Sequence, residues 1–136
     1  MAWILVIEDQ DLVRATIKSV LERAGHSIAV AADGSDGVQQ FRQAEFAAVI
    51  CDVFMPGKDG LATLQELRAI SGDVPVIMIS GGSMRPLRSG DARHIDYLRM
   101  ATDLGATRTI AKPFNTRELT AAVDEVLAAP RPSPRH

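Results

Sequence analysis

The stretch Ala47–Gly60, AAVICDVFMPGKDG, decides the fold of this chain. Its first half is an unbroken apolar run that stops at a carboxylate, Asp52. Continuous apolarity, rather than alternation, is what a strand shows when helices cover both faces of a parallel sheet. A carboxylate closing such a run is costly unless a cation or a hydrogen-bonding partner meets it. The stretch therefore predicts a buried strand over Ala47–Cys51 with a functional acid at its carboxyl end.

Working outward, four more runs rich in Val and Ile share this character: Trp3–Ile7, Ser27–Ala31, Pro75–Ile79 and Thr107–Ala111. Between them the period changes to that of helices. Val13, Ile17, Val20, Leu21 and Ala24 fall on one helical face with Gly25 as a stop. Leu119, Val123, Val126 and Leu127 form a second stripe, begun by Asn115 with Glu118 three residues later, a pairing related to the capping box. Weaker helical patterns cover 35–43, 61–70 and 92–104. Strand and helix thus alternate five times, which predicts an α/β fold: a five-stranded parallel sheet, doubly wound, with right-handed crossovers. Residues 1–128 are expected to form one domain. The remainder, 129–136, holds three prolines and two arginines without an apolar stripe and is expected to be a disordered tail, or else a linker to a further domain.

Composition narrows the function. With 15 basic and 17 acidic residues and a formal charge of -2, the chain lacks the basic surface of a non-specific nucleic-acid binder. No apolar run approaches the roughly 20 residues of a spanning helix, so no membrane role is assigned. The one cysteine, Cys51, and the absence of a signal-like start predict a cytoplasmic protein. His26, His94 and His136 are too scattered to bind a metal together.

In open α/β sheets, ligands gather at the carboxyl ends of the strands. Those ends carry Glu8 and Asp9 after the first run, Asp52 after the third, Ser80 after the fourth and Lys112 after the fifth. Three acids held together repel one another and call for a cation. Mg2+ fits, since it prefers oxygen ligands and commonly bridges carboxylates to a phosphate. Lys112 then offers a point charge and Ser80 a hydroxyl to phosphate oxygens, which leaves Asp52 as a nucleophile able to take a phosphoryl group. Trp3, on the first strand, is expected near this rim and able to report binding by fluorescence.

The segments VIED (6–9), CDVFMPGKDG (51–60), VIMISGG (76–82) and AKPF (111–114), in this order, resemble the four signature stretches of the receiver domain of two-component response regulators. The resemblance covers about residues 3–128 and implies a flavodoxin-like sheet of strand order 2-1-3-4-5. It implies Glu8 and Asp9 at a Mg2+ ion, Asp52 phosphorylated, Ser80 as switch hydroxyl and Lys112 at the phosphate. It adds the main-chain carbonyl of Phe54 as a metal ligand and a cis peptide between Lys112 and Pro113. The implied partners are a sensor histidine kinase or a histidine phosphotransfer protein, and a downstream protein target. The protein is expected to be a monomer or weak homodimer and no enzyme beyond its own phosphorylation and dephosphorylation.

Three rivals are weighed against that reading. A haloacid-dehalogenase-type phosphatase shares the chemistry but puts a second Asp two residues after the nucleophile, where this chain has Phe54. A flavodoxin-like FMN carrier needs a Ser- and Thr-rich phosphate loop after the first strand, where Glu8-Asp9-Gln10-Asp11 would repel the phosphate. A receiver cut from a hybrid kinase or a longer regulator is the third; Met1 directly before the first strand and the short tail favour a stand-alone regulator.

Two departures from the family pattern stand out. Residues 81–111 separate Ser80 from Lys112, a longer stretch than usual, and 81–91 have the Gly, Pro and Arg content of a mobile loop beside the site, suited to a lid or partner surface or to a tolerated insertion. Thr109 stands where the family carries an aromatic residue that turns inward on activation, so output cannot follow the usual rotamer switch. In the receiver family that the chain resembles, the residues two after the phosphorylated Asp and two after the switch hydroxyl influence the attacking water; here these are Phe54 and Gly82, which offer no side-chain polar group to orient it, so slow self-dephosphorylation is expected.

Overall fold

The structure is a computed structural model and describes residues 2–53, 55, 59–80 and 99–129. The order of elements is β1 (Trp3–Ile7), α1 (Asp11–Arg23), β2 (Ser27–Ala31), α2 (Gly34–Gln43), β3 (Ala48–Asp52), α3 (Gly60–Ile70) and β4 (Val76–Ser80). A helical stretch over 99–103 (α4), β5 (Arg108–Ala111) and α5 (Thr116–Ala128) complete it. The five strands are parallel in the order β2-β1-β3-β4-β5, as expected. Each strand lies within a residue of its expected place, and Asp52 and Ser80 become the last residues of β3 and β4. Of the helix expected over 92–104, only the part from 99 lies among the described residues; 81–91, Phe54 and 130–136 lie outside them.

Alternate residues of the strands feed two cores. Leu5, Ile7, Val49, Cys51, Val76 and Met78 face α2, α3 and α4. Ile4, Val6, Ile50, Ile77 and Ile79 face α1 and α5, where Ile17, Leu21, Leu119, Val123 and Val126 meet them. All five residues of both β3 and β4 are buried, which explains why these runs read as continuous rather than alternating. Each fully buried Leu or Ile contributes about 2 kcal/mol relative to an exposed one.

The helix starts follow the sequence signals. Asp33 caps α2 through the Asp36 amide, Asp59 caps α3 through the Ala62 amide, and Asn115 with Glu118 forms a complete capping box on α5. By contrast Gln10, at the N-cap position before α1, makes no side-chain cap hydrogen bond. Gly25 ends the α1 turn at φ +100°, a conformation that a side chain disfavours. No helix among the described residues is long and apolar enough to cross a membrane.

Candidate functional site

Register brings the site together. Ile7 pairs with Cys51, Asp52 with Ile79 and Ser80 with Ala111, so the residues closing β1, β3, β4 and β5 share one rim. The Glu8 amide donates to Ala31 O at 3.0 Å, continuing the ladder one residue past β1, and the Lys112 amide donates to Ser80 O at 2.8 Å, doing the same past β5. The peptide between Lys112 and Pro113 is cis, as expected.

One carboxylate oxygen from each of Glu8, Asp9 and Asp52 falls within a cluster whose atoms all lie within 4.8 Å of one another. Glu8 is 1% exposed, Asp52 3% and Ser80 0%. The Lys112 ammonium lies 3.2 Å from Glu8 Oε1 and 3.7 Å from Asp52 Oδ1, while the Gln10 amide donates to Glu8 Oε2 at 3.1 Å. Burial pushes the Glu8 carboxyl above the usual carboxylate range; the Gln10 amide and Lys112 pull it back, and Asp9 adds to the rise. Among the described residues, Asp9 Oδ1 and Ser80 Oγ are buried with no hydrogen-bond partner. Buried polar atoms are rarely left so, and here one is an acceptor beside two further acids and the other a hydroxyl. The donor set of three carboxylates suits a small hard cation with oxygen ligands. The chemistry read from Glu8, Asp9, Asp52, Ser80 and Lys112 thus has a common place; the carbonyl of Phe54 lies outside the described residues.

Gly60, which sequence reasoning passed over, fixes where Asp52 sits. Its amide donates to Val53 O at 2.8 Å, and a Cβ built there would press into the Asp52 carbonyl oxygen and stand 2.6 Å from Val53 Cα. The start of α3 therefore rests directly on the end of β3, a contact only glycine permits. The signal was present as the last residue of the quoted stretch, a glycine after a cap-type aspartate.

Trp3 overturns an expectation. It occupies the amino end of β1, its ring 4.7 Å from that of Phe46, which precedes β3. At about 3.3 Å per residue it lies some 16 Å along the strand from Glu8, at the opposite end of the strands from the acids. A position within a parallel strand, not membership of it, decides nearness to the rim. Cys51 is buried, and burial followed by Asp52, Glu8 and Asp59 pushes its thiol well up, so it serves as a core side chain. His26 is also structural, accepting the Ala2 amide at Nδ1, 3.1 Å away. Thr109 lies half-buried on β5 in register with Met78.

The response regulator receiver domain family matches residues 4–124. The chain belongs to that family. Aerobic respiration control protein ArcA of Escherichia coli K12 is 33% identical over 125 residues, 92% of this chain and 48% of its own length. Transcriptional regulatory protein AfsQ1 of Streptomyces coelicolor is 32% identical over 127 residues, 93% and 52% respectively. The receiver thus spans about half the length of the curated relatives it matches. Among solved structures, a putative response regulator from Chloroflexus aurantiacus aligns at TM-score 0.82 with 30% identity, covering 94% of this chain and 98% of that one. Chemotaxis protein CheY4 of Vibrio cholerae aligns at TM-score 0.79 with 26% identity, over 93% and 98%.

Proposed function

We propose that this receiver accepts a phosphoryl group on Asp52 in a Mg2+-dependent reaction and thereby changes its affinity for a partner. The observation that carries the reading is the placement of Asp52: buried at the end of β3, 3.7 Å from the Lys112 ammonium, clustered with Glu8 and Asp9. Glu8 acts through its carboxylate and with Asp9 and Asp52 would hold the ion, together with the Phe54 carbonyl implied by the family. When bound, Mg2+ supplies positive charge that offsets the three acids and lets an anionic donor approach.

An Asp52 oxygen attacks phosphorus, the bond to the donor nitrogen or oxygen breaks as the new O–P bond forms, and the donor leaves with the electron pair. Lys112 is placed to turn from the carboxylates to a phosphoryl oxygen. The Ser80 hydroxyl, without a partner among the described residues, is free to donate to another. Little covalent chemistry beyond this positioning is asked of the protein, because the transition state is loose. The chain is therefore a substrate that assists its own modification and not an enzyme acting on others.

The phosphodonor is a sensor histidine kinase or a histidine phosphotransfer protein, and the output is binding to a downstream protein, without direct nucleic-acid or membrane contact by the receiver itself. The protein acts in the cytoplasm as a monomer or weak homodimer. The test is intact-mass spectrometry after incubation with acetyl phosphate and Mg2+: the wild type gains one phosphate and Asp52→Asn gains none. Equal labelling of the two would sink the assignment.

A further inference from the structure

Among the helices with described starts, α1 alone lacks a side-chain cap, yet it follows the turn that carries both Glu8 and Asp9. That turn is held from within the helix instead. Arg14, one turn into α1, donates through one guanidinium nitrogen to Glu8 O at 2.9 Å and toward Asp9 O at 3.5 Å. Its other terminal nitrogen donates to Asp11 Oδ1 at 2.6 Å, and its side chain is only 20% exposed. A backbone carbonyl leaving a strand needs a donor, and here one arm of a planar fork holds the Glu8 carbonyl and reaches toward that of Asp9 while the other arm is held by Asp11.

We infer that Arg14 is a positioning residue for the cation site: by clamping the Glu8 and Asp9 carbonyls it sets the directions in which both carboxylates project toward Asp52. This rests on the proposed Mg2+ site and goes beyond it, because Arg14 contributes no ligand. Two effects of the guanidinium oppose each other. As a positive charge near three acids it disfavours a cation, whereas as a clamp it favours one by holding the ligands in place. Outer groups that orient ligands typically contribute a factor of about 10 to 100 in metal affinity. Asp11 offsets part of the Arg14 charge at 2.6 Å, which leaves the clamp as the effect to be tested.

The sign of the effect separates the two roles. Calorimetric titration of the unphosphorylated full chain with MgCl2 is expected to give a Kd about tenfold weaker for Arg14→Met than for the wild type. Arg14→Lys keeps the charge but loses the planar fork, and it is expected to bind several-fold more weakly as well. Circular dichroism verifies folding, and should Arg14→Met fail to fold, Arg14→Lys decides alone. Tighter binding by Arg14→Met with an unchanged Arg14→Lys would make the guanidinium a mere charge and overturn the inference. Unchanged Mg2+ affinity with a lowered melting temperature would reduce Arg14 to a helix-stabilising role and overturn it too. A wild type that takes up no Mg2+ fails differently, removing the cation site together with the clamp.

Discussion

The Lys112 ammonium lies nearer to Glu8, at 3.2 Å, than to Asp52, at 3.7 Å. The cation is therefore shared between the acid read as a metal ligand and the acid read as the nucleophile, and both are almost fully buried. Removing one partner of a buried ion pair leaves the other uncompensated. Lys112→Met should destabilise the metal-free protein by about 3 kcal/mol, read from urea unfolding. Its phosphorylation by acetyl phosphate should slow by about a hundredfold, as expected when one charge-stabilising group is lost. A variant that unfolds at the wild-type urea midpoint would show that Lys112 does not compensate these acids.

Asp9 behaves in the opposite sense. Its Oδ1 is buried without a hydrogen-bond partner among the described residues and lies beside two other carboxylates. Asp9→Asn removes one of three like charges and brings in a donor, so the metal-free protein should gain about 1 kcal/mol. That corresponds to a melting temperature about 3 °C higher. Saturating Mg2+ should raise the wild-type melting temperature and leave the variant nearly unmoved, since ligand binding stabilises only the form that binds. A variant that melts below the wild type without Mg2+ would mean that Asp9 is a structural acid.

Gly60 and Gly25 are a matched pair of glycines with different reasons to be glycine. At Gly25 a methyl group meets nothing within 4 Å and the cost of alanine is that of φ +100° alone, about 1 kcal/mol. At Gly60 the methyl would drive into the Asp52 carbonyl and the Val53 backbone, which cannot rotate away. Gly60→Ala should cost about 3 kcal/mol by overpacking and also depress phosphorylation by moving Asp52, whereas Gly25→Ala should phosphorylate normally. Comparable phosphorylation rates for the two variants, measured under conditions where both are folded, would separate Gly60 from the positioning of Asp52.

Where the sequence was legible, a single physical demand governed the residues. Burial on both faces made β3 and β4 continuous apolar runs, and Asp52 and Ser80 at their ends followed from the direction of a parallel strand. Asn115 and Glu118 announced α5 because capping is local. What escaped depended on approach between elements. The contact between Gly60 and the Asp52 carbonyl, and the reach of the Arg14 guanidinium back to the Glu8 carbonyl, each end on a backbone atom and leave no periodic trace. The misplacement of Trp3 came from reading its strand without reading its end of it.

On the proposed phosphorylation of Asp52, the lifetime of the modified state is expected to depend, as in the family, on the residue two positions on, which is Phe54. Hydrolysis needs a water held in line with phosphorus, and a side-chain amide or carboxylate can orient it by hydrogen bonding. A phenyl ring has no such group. Gly82, two residues after Ser80, has no side-chain polar group either, and in the proposed reaction the Lys112 ammonium and Ser80 hydroxyl would stabilise phosphoryl oxygens without accepting a proton from water. The signal should therefore decay slowly on its own and end chiefly by transfer to a partner. After phosphorylation with acetyl phosphate and removal of the donor, Phe54→Asn should lose phosphate roughly tenfold faster than the wild type, short of the hundredfold or more that a fully positioned proton acceptor contributes. Loss at the wild-type rate or below it would mean that water attack is limited elsewhere, with the segment that follows Ser80 the next place to substitute.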